Sequence, residues 1–98
     1  MARSVRSRTE IISQILEAAY DHHDEDGIGV TQTKIGYIVY LNNASLKEYL
    51  SSLTIHGLLS HDLAMRRYHI TENGVRFLEL HSKLRGMMKE RMRHYDTE

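Results

Sequence analysis

Asn43, Lys47 and Ser51 recur at four-residue intervals, which stacks an amide, an ammonium and a hydroxyl on one face of a helix. Such a face reads hydrogen-bonding edges: Asn and Ser can bond nucleobases, and Lys reaches guanine or phosphate. Glu48 beside them could accept from a cytosine amine, but it costs affinity near phosphates. Arg66 and Arg67 are adjacent in a short polar turn, and Arg3, Arg6 and Arg8 lie among serines at the start of the chain. Guanidinium groups in such places suit phosphate or minor-groove contact, although a solvated turn and an idle tail carry the same residues. Chemistry that makes and breaks bonds finds less support. The chain has no Cys, which removes thiolate nucleophiles and Cys-bearing metal sites. His22, His23, Asp24 and Asp26 are metal-capable, but they crowd into one loop instead of coming from spaced elements that could build a tetrahedral set. Gly27-Ile28-Gly29 continues into Val30-Thr31-Gln32 without the further glycine of a phosphate-binding loop. Ser, His and Asp occur, but nothing arranges them as a triad. No enzyme activity, metal or cofactor is expected.

The binding side chains need elements to hold them. Ile11, Ile12, Ile15, Leu16, Ala18 and Ala19 have helical spacing behind Thr9, a good cap with Glu10 in the first turn, so a first helix is expected from Thr9 to Tyr20 or His22. The acidic, glycine-bearing run from Asp21 to Gly29 reads as a loop. Thr31 to Leu41 gives a second, short helix capped by Thr31 or Thr33, although the β-branched and aromatic residues of Ile35 to Leu41 also suit a strand. Asn42 is the natural cap of a third helix from Asn43 to His56, with Leu46, Tyr49, Leu50 and Leu53 facing inward and Gly57 ending it. That orientation puts Ala44, Lys47, Glu48, Ser51 and Ile55 outside, with Asn43 at the entrance. The period then becomes extended over Leu58 to Leu63 and Arg67 to Ile70, which predicts a hairpin turning near Ala64 to Arg66. Thr71 caps a last helix from Glu72 to Tyr95, about 36 Å long at ~1.5 Å per residue, so half of it must project from so small a globule.

Helix, helix, helix, hairpin and long helix make a mainly α chain with a small β-hairpin, in the order of a winged helix-turn-helix with a C-terminal extension. The organisation follows: a flexible basic arm over 1–8, the winged domain over 9–71, a dimerisation helix over 72–95 and a tail over 96–98. Phe77, Leu80, His81, Leu84, Met87, Met88, Met92 and Tyr95 mark the apolar side of the last helix. They fit two imperfect heptad frames, and an unpartnered stripe of that length predicts self-association.

Particular stretches also resemble a known family. They are Arg8-Thr9-Glu10-Ile11-Ile12 through Ala18-Ala19, Thr33-Lys34-Ile35-Gly36-Tyr37, Leu46-Lys47-Glu48-Tyr49-Leu50, Gly57-Leu58-Leu59, and Tyr68-His69-Ile70-Thr71-Glu72-Asn73-Gly74 through Phe77-Leu78. Together they resemble the archaeal winged-helix family of small DNA-binding proteins with a C-terminal coiled coil, over about residues 8 to 80. The resemblance implies a homodimer held by an antiparallel coiled coil of the last helices. It also implies two winged domains on duplex DNA, in a chromatin or transcriptional role. Two departures count: coating members of that family are basic whereas this chain is neutral, and the hairpin here is short. Local, sequence-preferring binding by a regulator is therefore expected over indiscriminate coating.

Charge is the datum that opposes DNA. Thirteen Lys and Arg balance thirteen Asp and Glu, at a pI near 7.1. The zero is a sum of unlike segments: four acids sit in the loop at Asp21, Asp24, Glu25 and Asp26, while Thr31 to Ile70 carries Lys34, Lys47, Arg66 and Arg67 against Glu48 and Asp62. Seven histidines raise the net charge as pH falls toward ~6. The alternative is a winged-helix adaptor that docks another protein and binds no DNA. With no apolar run of ~20 residues and no basic start followed by an apolar stretch, no membrane partner is expected, and the location expected is cytoplasmic, at the nucleoid.

Overall fold

The computed structural model describes residues 6–22 and 29–96, with side chains through Met88. The elements are α1 (Arg8–Asp21), α2 (Gln32–Val39), α3 (Asn43–Ile55), β1 (Leu59–Asp62), β2 (Arg67–Ile70) and α4 (Glu72–Asp96). Their order is the expected one, and the differences lie at boundaries. Ser7, not Thr9, caps α1: its hydroxyl accepts from the Glu10 N–H at 3.1 Å while the Glu10 carboxylate accepts from the Ser7 N–H at 3.0 Å. This reciprocal box satisfies two orphan donors, which a cap at Thr9 could not do with Glu10. In α2 the helix prevails over strand propensity, because Thr31 accepts from the Lys34 N–H and Ile35 and Val39 bury one turn apart. The helix stops short of Leu41, at Tyr40, which takes a left-handed conformation.

Helix α3 is fixed at both ends. Asn42 accepts from the Ser45 N–H at 2.8 Å. At the other end the Leu58 N–H reaches the Leu53 carbonyl at 2.9 Å and the Gly57 N–H the Thr54 carbonyl at 3.1 Å, the two bonds of a Schellman motif with Gly57 at φ +80°. Thr71 ties the next junction: its hydroxyl donates to the Gly57 carbonyl at 2.6 Å and accepts from the Gly74 N–H at 3.1 Å. One side chain thus couples the end of α3 to the start of α4.

β1 and β2 pair antiparallel, Leu59 opposite Ile70 and His61 opposite Tyr68. Val30 adds a bridge that the sequence pattern does not announce, exchanging two backbone hydrogen bonds with Tyr68 at 2.9 and 2.7 Å. The core gathers Ile15, Leu16, Ala18, Ala19, Val30, Ile35, Val39, Leu46, Leu50, Leu53 and Leu59. Gly36 lets α2 approach α3, since a Cβ there would lie 2.9 Å from the Leu46 side chain. The first turns of α4 close the core with half-buried Phe77 and Leu78. Phe77 therefore serves the protomer's own core, and His81 stacks parallel to it at 6.1 Å, so neither is wholly free for a partner helix. Beyond them Leu80, Leu84, Met87 and Met88 are exposed. The side chains of Met92 and Tyr95, and the residues His23, Asp24 and Asp26, lie outside those described.

Two glycines within α4 differ in what surrounds them. A Cβ on Gly74 would collide with the Leu58 carbonyl oxygen and sit 2.6 Å from Ile70, whereas one on Gly86 would meet nothing within 4 Å. Gly74→Ala is expected to cost about 1–3 kcal/mol by overpacking. Gly86→Ala should stabilise by up to ~1 kcal/mol through helix propensity. Thermal melts should move in opposite directions; a shift of the same sign in both variants would contradict this packing.

Candidate nucleic-acid interface

Burial of Leu46, Leu50 and Leu53 decides which way α3 faces. With those three side chains inward, Asn43, Ala44, Lys47, Glu48, Ser51 and Ile55 are all exposed, as their spacing predicts. The hairpin supplies a second wall. Strand alternation places His61 and Tyr68 on the same face as Leu59 and Ile70, further toward the tip, and their rings stack at 4.1 Å and 9°. Between this stack and α3 runs an open groove whose lining includes Gln32, Lys47, Glu48, Ser51, Ile55, His56, His61 and Tyr68. The His56 ring is held at the end of α3, its Nδ1 2.8 Å from the Ser52 carbonyl. Burial raises the Tyr68 phenol above its ordinary value near 10.

The groove thus offers donors from Lys47, Gln32, Ser51 and Tyr68 beside an apolar patch at Ile55, with one ammonium set against one carboxylate. That inventory suits recognition of polar edges and phosphate oxygens. Among the described residues no group of three or more His, Asp or Glu side chains could hold a metal ion.

The basic residues separate into distinct situations. Lys34 is exposed in the first turn of α2, and Arg66 is exposed at the end of the hairpin loop with φ +58°. Arg67 is half-buried, and its Nε is enclosed without a hydrogen-bond partner among the described residues, so the two adjacent arginines are not equivalent. Arg6 and Arg8 correct the expectation of a flexible arm reaching to residue 8. The Arg6 guanidinium donates to Gln14 Oε1 and the Val39 carbonyl, both at 2.7 Å, and to the Tyr40 carbonyl at 3.3 Å. It caps the carbonyl end of α2, where a cation also suits the helix dipole. Three of its five N–H donors are thus engaged within the protomer. Arg8 is the first residue of α1 and lines a cleft with Ile12, Glu48, Tyr49 and Ser52, on the edge of α3 away from the hairpin. Arg3 lies outside the described residues.

Gln32, His56, His61 and Tyr68 are groove residues that sequence reasoning missed. Period-two alternation would have placed His61 and Tyr68 with Leu59 and Ile70, had the register been known. Gln32 carries no such signal, because it enters the groove only through the packing of α2 against α3.

Residues 5–89 of the chain match the family model described as winged helix-turn-helix, which takes in every element up to the later turns of α4. No curated protein matches the chain.

Because Arg6 bonds two carbonyls and an amide through one planar fork, Arg6→Ala should cost about 1–3 kcal/mol, and Arg6→Lys should recover only part of it. Urea or thermal unfolding checks this, and an alanine variant as stable as the parent would contradict the capping role.

Proposed function

The chain belongs to the winged helix-turn-helix family, and from that membership we propose that it binds double-stranded DNA as a homodimer, in a transcriptional or chromatin-associated role. Winged helix-turn-helix domains generally bind DNA, with the second helix of the motif in the major groove. The observation that carries the proposal is the groove shared by the outer face of α3 and the His61–Tyr68 wall of the hairpin. Asn43, Ala44, Lys47 and Ser51 face the bases, Lys34 and Arg66 meet phosphates on either side of α3, and Arg67 supports the hairpin contact. Arg8 flanks the other edge of α3. Arg6 acts by holding α2 in place and not as a contact.

The dimer reading rests on α4. Leu80, Leu84, Met87 and Met88 fall at i, i+4, i+7 and i+8, so they form one stripe, and each is more than half exposed. A second copy pairing antiparallel along that stripe removes the apolar surface from water and brings two winged domains to one duplex. No helix among the described residues is long and apolar enough to cross a membrane, and a nucleoid location in the cytoplasm follows from the DNA-binding role.

Titration of mixed-sequence duplexes by fluorescence polarisation should show binding that weakens with salt, log K falling by ~0.9 per neutralised phosphate. Lys47→Ala should weaken binding several-fold, and should lower the salt slope by about one if Lys47 meets a phosphate. Absence of duplex binding at ~50 mM salt would sink the proposal in favour of a protein-docking adaptor. Sedimentation should find a dimer at micromolar concentration that Leu84→Glu dissociates; a monomeric parent protein would refute the assembly.

A further inference from the structure

The hairpin loop carries a feature that the groove does not use. Leu63, Ala64 and Met65 follow one another at its tip, Leu63 79% and Met65 51% exposed, and none belongs to the core cluster or packs on it. Leu63 stands largely in solvent and Met65 is half exposed beside it in sequence, and neither contributes to the core; neighbouring exposed apolar side chains of this kind are candidates for a contact. The loop is nonetheless well held. Strand pairing continues to Asp62 opposite Arg67, the Asp62 carboxylate accepts from the Met65 N–H at 3.2 Å, and the His61–Tyr68 stack stiffens the base. Arg66 closes the loop with φ +58°, a conformation that glycine adopts without strain. An arginine there keeps a cation beside the apolar pair.

Leucine and methionine are among the side chains that wedge between base steps in the minor groove, where cations alongside hold the backbone. We propose that Leu63 and Met65 form an apolar wedge that enters the minor groove next to the α3 contact, partly unstacks one base step and bends the duplex, with Arg66 on the flanking phosphates. This rests on the DNA-binding function proposed above. The occupant is the same duplex, because the hairpin that carries the tip is itself a wall of the α3 groove. The exposed Arg66 supplies a cation on the same loop.

The test uses the full chain and a short mixed-sequence duplex containing flexible TA steps, end-labelled for energy transfer, with 2-aminopurine to report unstacking. The parent protein should shorten the end-to-end distance by a bend within about 20–90° and brighten the 2-aminopurine. Leu63→Ser/Met65→Ser should abolish both signals and lower affinity several-fold. The salt slope should stay as it was, since no cation is removed, and so should the melting temperature, since the tip touches no core. At saturation Lys47→Ala should still bend the duplex. A straight duplex under tightly bound parent protein, or an unchanged bend with the double variant, would overturn the wedge alone. Failure of the parent to bind any duplex would overturn it together with DNA binding. A change in the sedimentation of the DNA-free protein on the double substitution would make the tip an interface between copies and overturn the wedge.

Discussion

The seating of α3 by Leu46, Leu50 and Leu53 is the constraint on which the rest of the molecule depends. Three leucines on one helical stripe, each essentially buried, remove enough apolar surface to outweigh any rotation that would expose them. Once that stripe faces the core, the outward direction of Lys47 and Ser51 is no longer a free variable. The core therefore aims the candidate interface, and Tyr68, which lines the groove, packs against that core. Gly36 belongs to the same constraint, because the helix before the turn must come close enough for Leu46 to pack beneath it.

Hydrogen bonds at helix ends carry that orientation outward. The Schellman motif at Gly57 turns the chain into β1, and the Thr71 hydroxyl bonds the same glycine's carbonyl while capping α4. Helix α3, hairpin and long helix thus meet at one junction, and a displacement of any of them strains the other two. Arg6 performs a comparable service at the far end of α2. Among the described residues, the two non-glycine residues with positive φ, Tyr40 and Arg66, are both exposed, one at the turn into α3 and the other at the hairpin tip. A glycine would relieve the backbone at either place but would delete the side chain.

Much of this was legible in the sequence, for reasons that can be located. The leucine spacing of α3, Asn42 before it and Gly57 after it are local signals that agree with the tertiary solution, so element, boundaries and outward face were all readable. The cap of α1 was misplaced because Thr9 and Ser7 are both competent caps, and only Ser7 has its glutamate three residues on. The inner end of the arm differs from its expectation for another reason. Arg6 looks like any cation in a serine-rich start, and its partners, Val39 and Tyr40, are more than thirty positions away, beyond the reach of any periodicity. Gln32 entering the groove and Val30 joining the hairpin share that cause: both are long-range contacts written in no local pattern.

Net charge zero also acquires a physical meaning. On the proposed function, each protomer brings few free cations to DNA, because Arg6 bonds within the protomer, Arg67 is half-buried and Glu48 follows Lys47 directly on the exposed face of α3. Counterion release, which scales with the number of phosphates neutralised, is then modest, and indiscriminate coating of DNA lacks its usual driving force. Affinity must come from contacts that depend less on salt. The groove has them in Ile55, in the Tyr68 donor and in the polar face of α3, and pairing along α4 would present two such faces to one duplex, adding avidity without adding charge. A neutral chain with this arrangement favours sites where polar and apolar contacts are both satisfied, which is the behaviour of a selective binder.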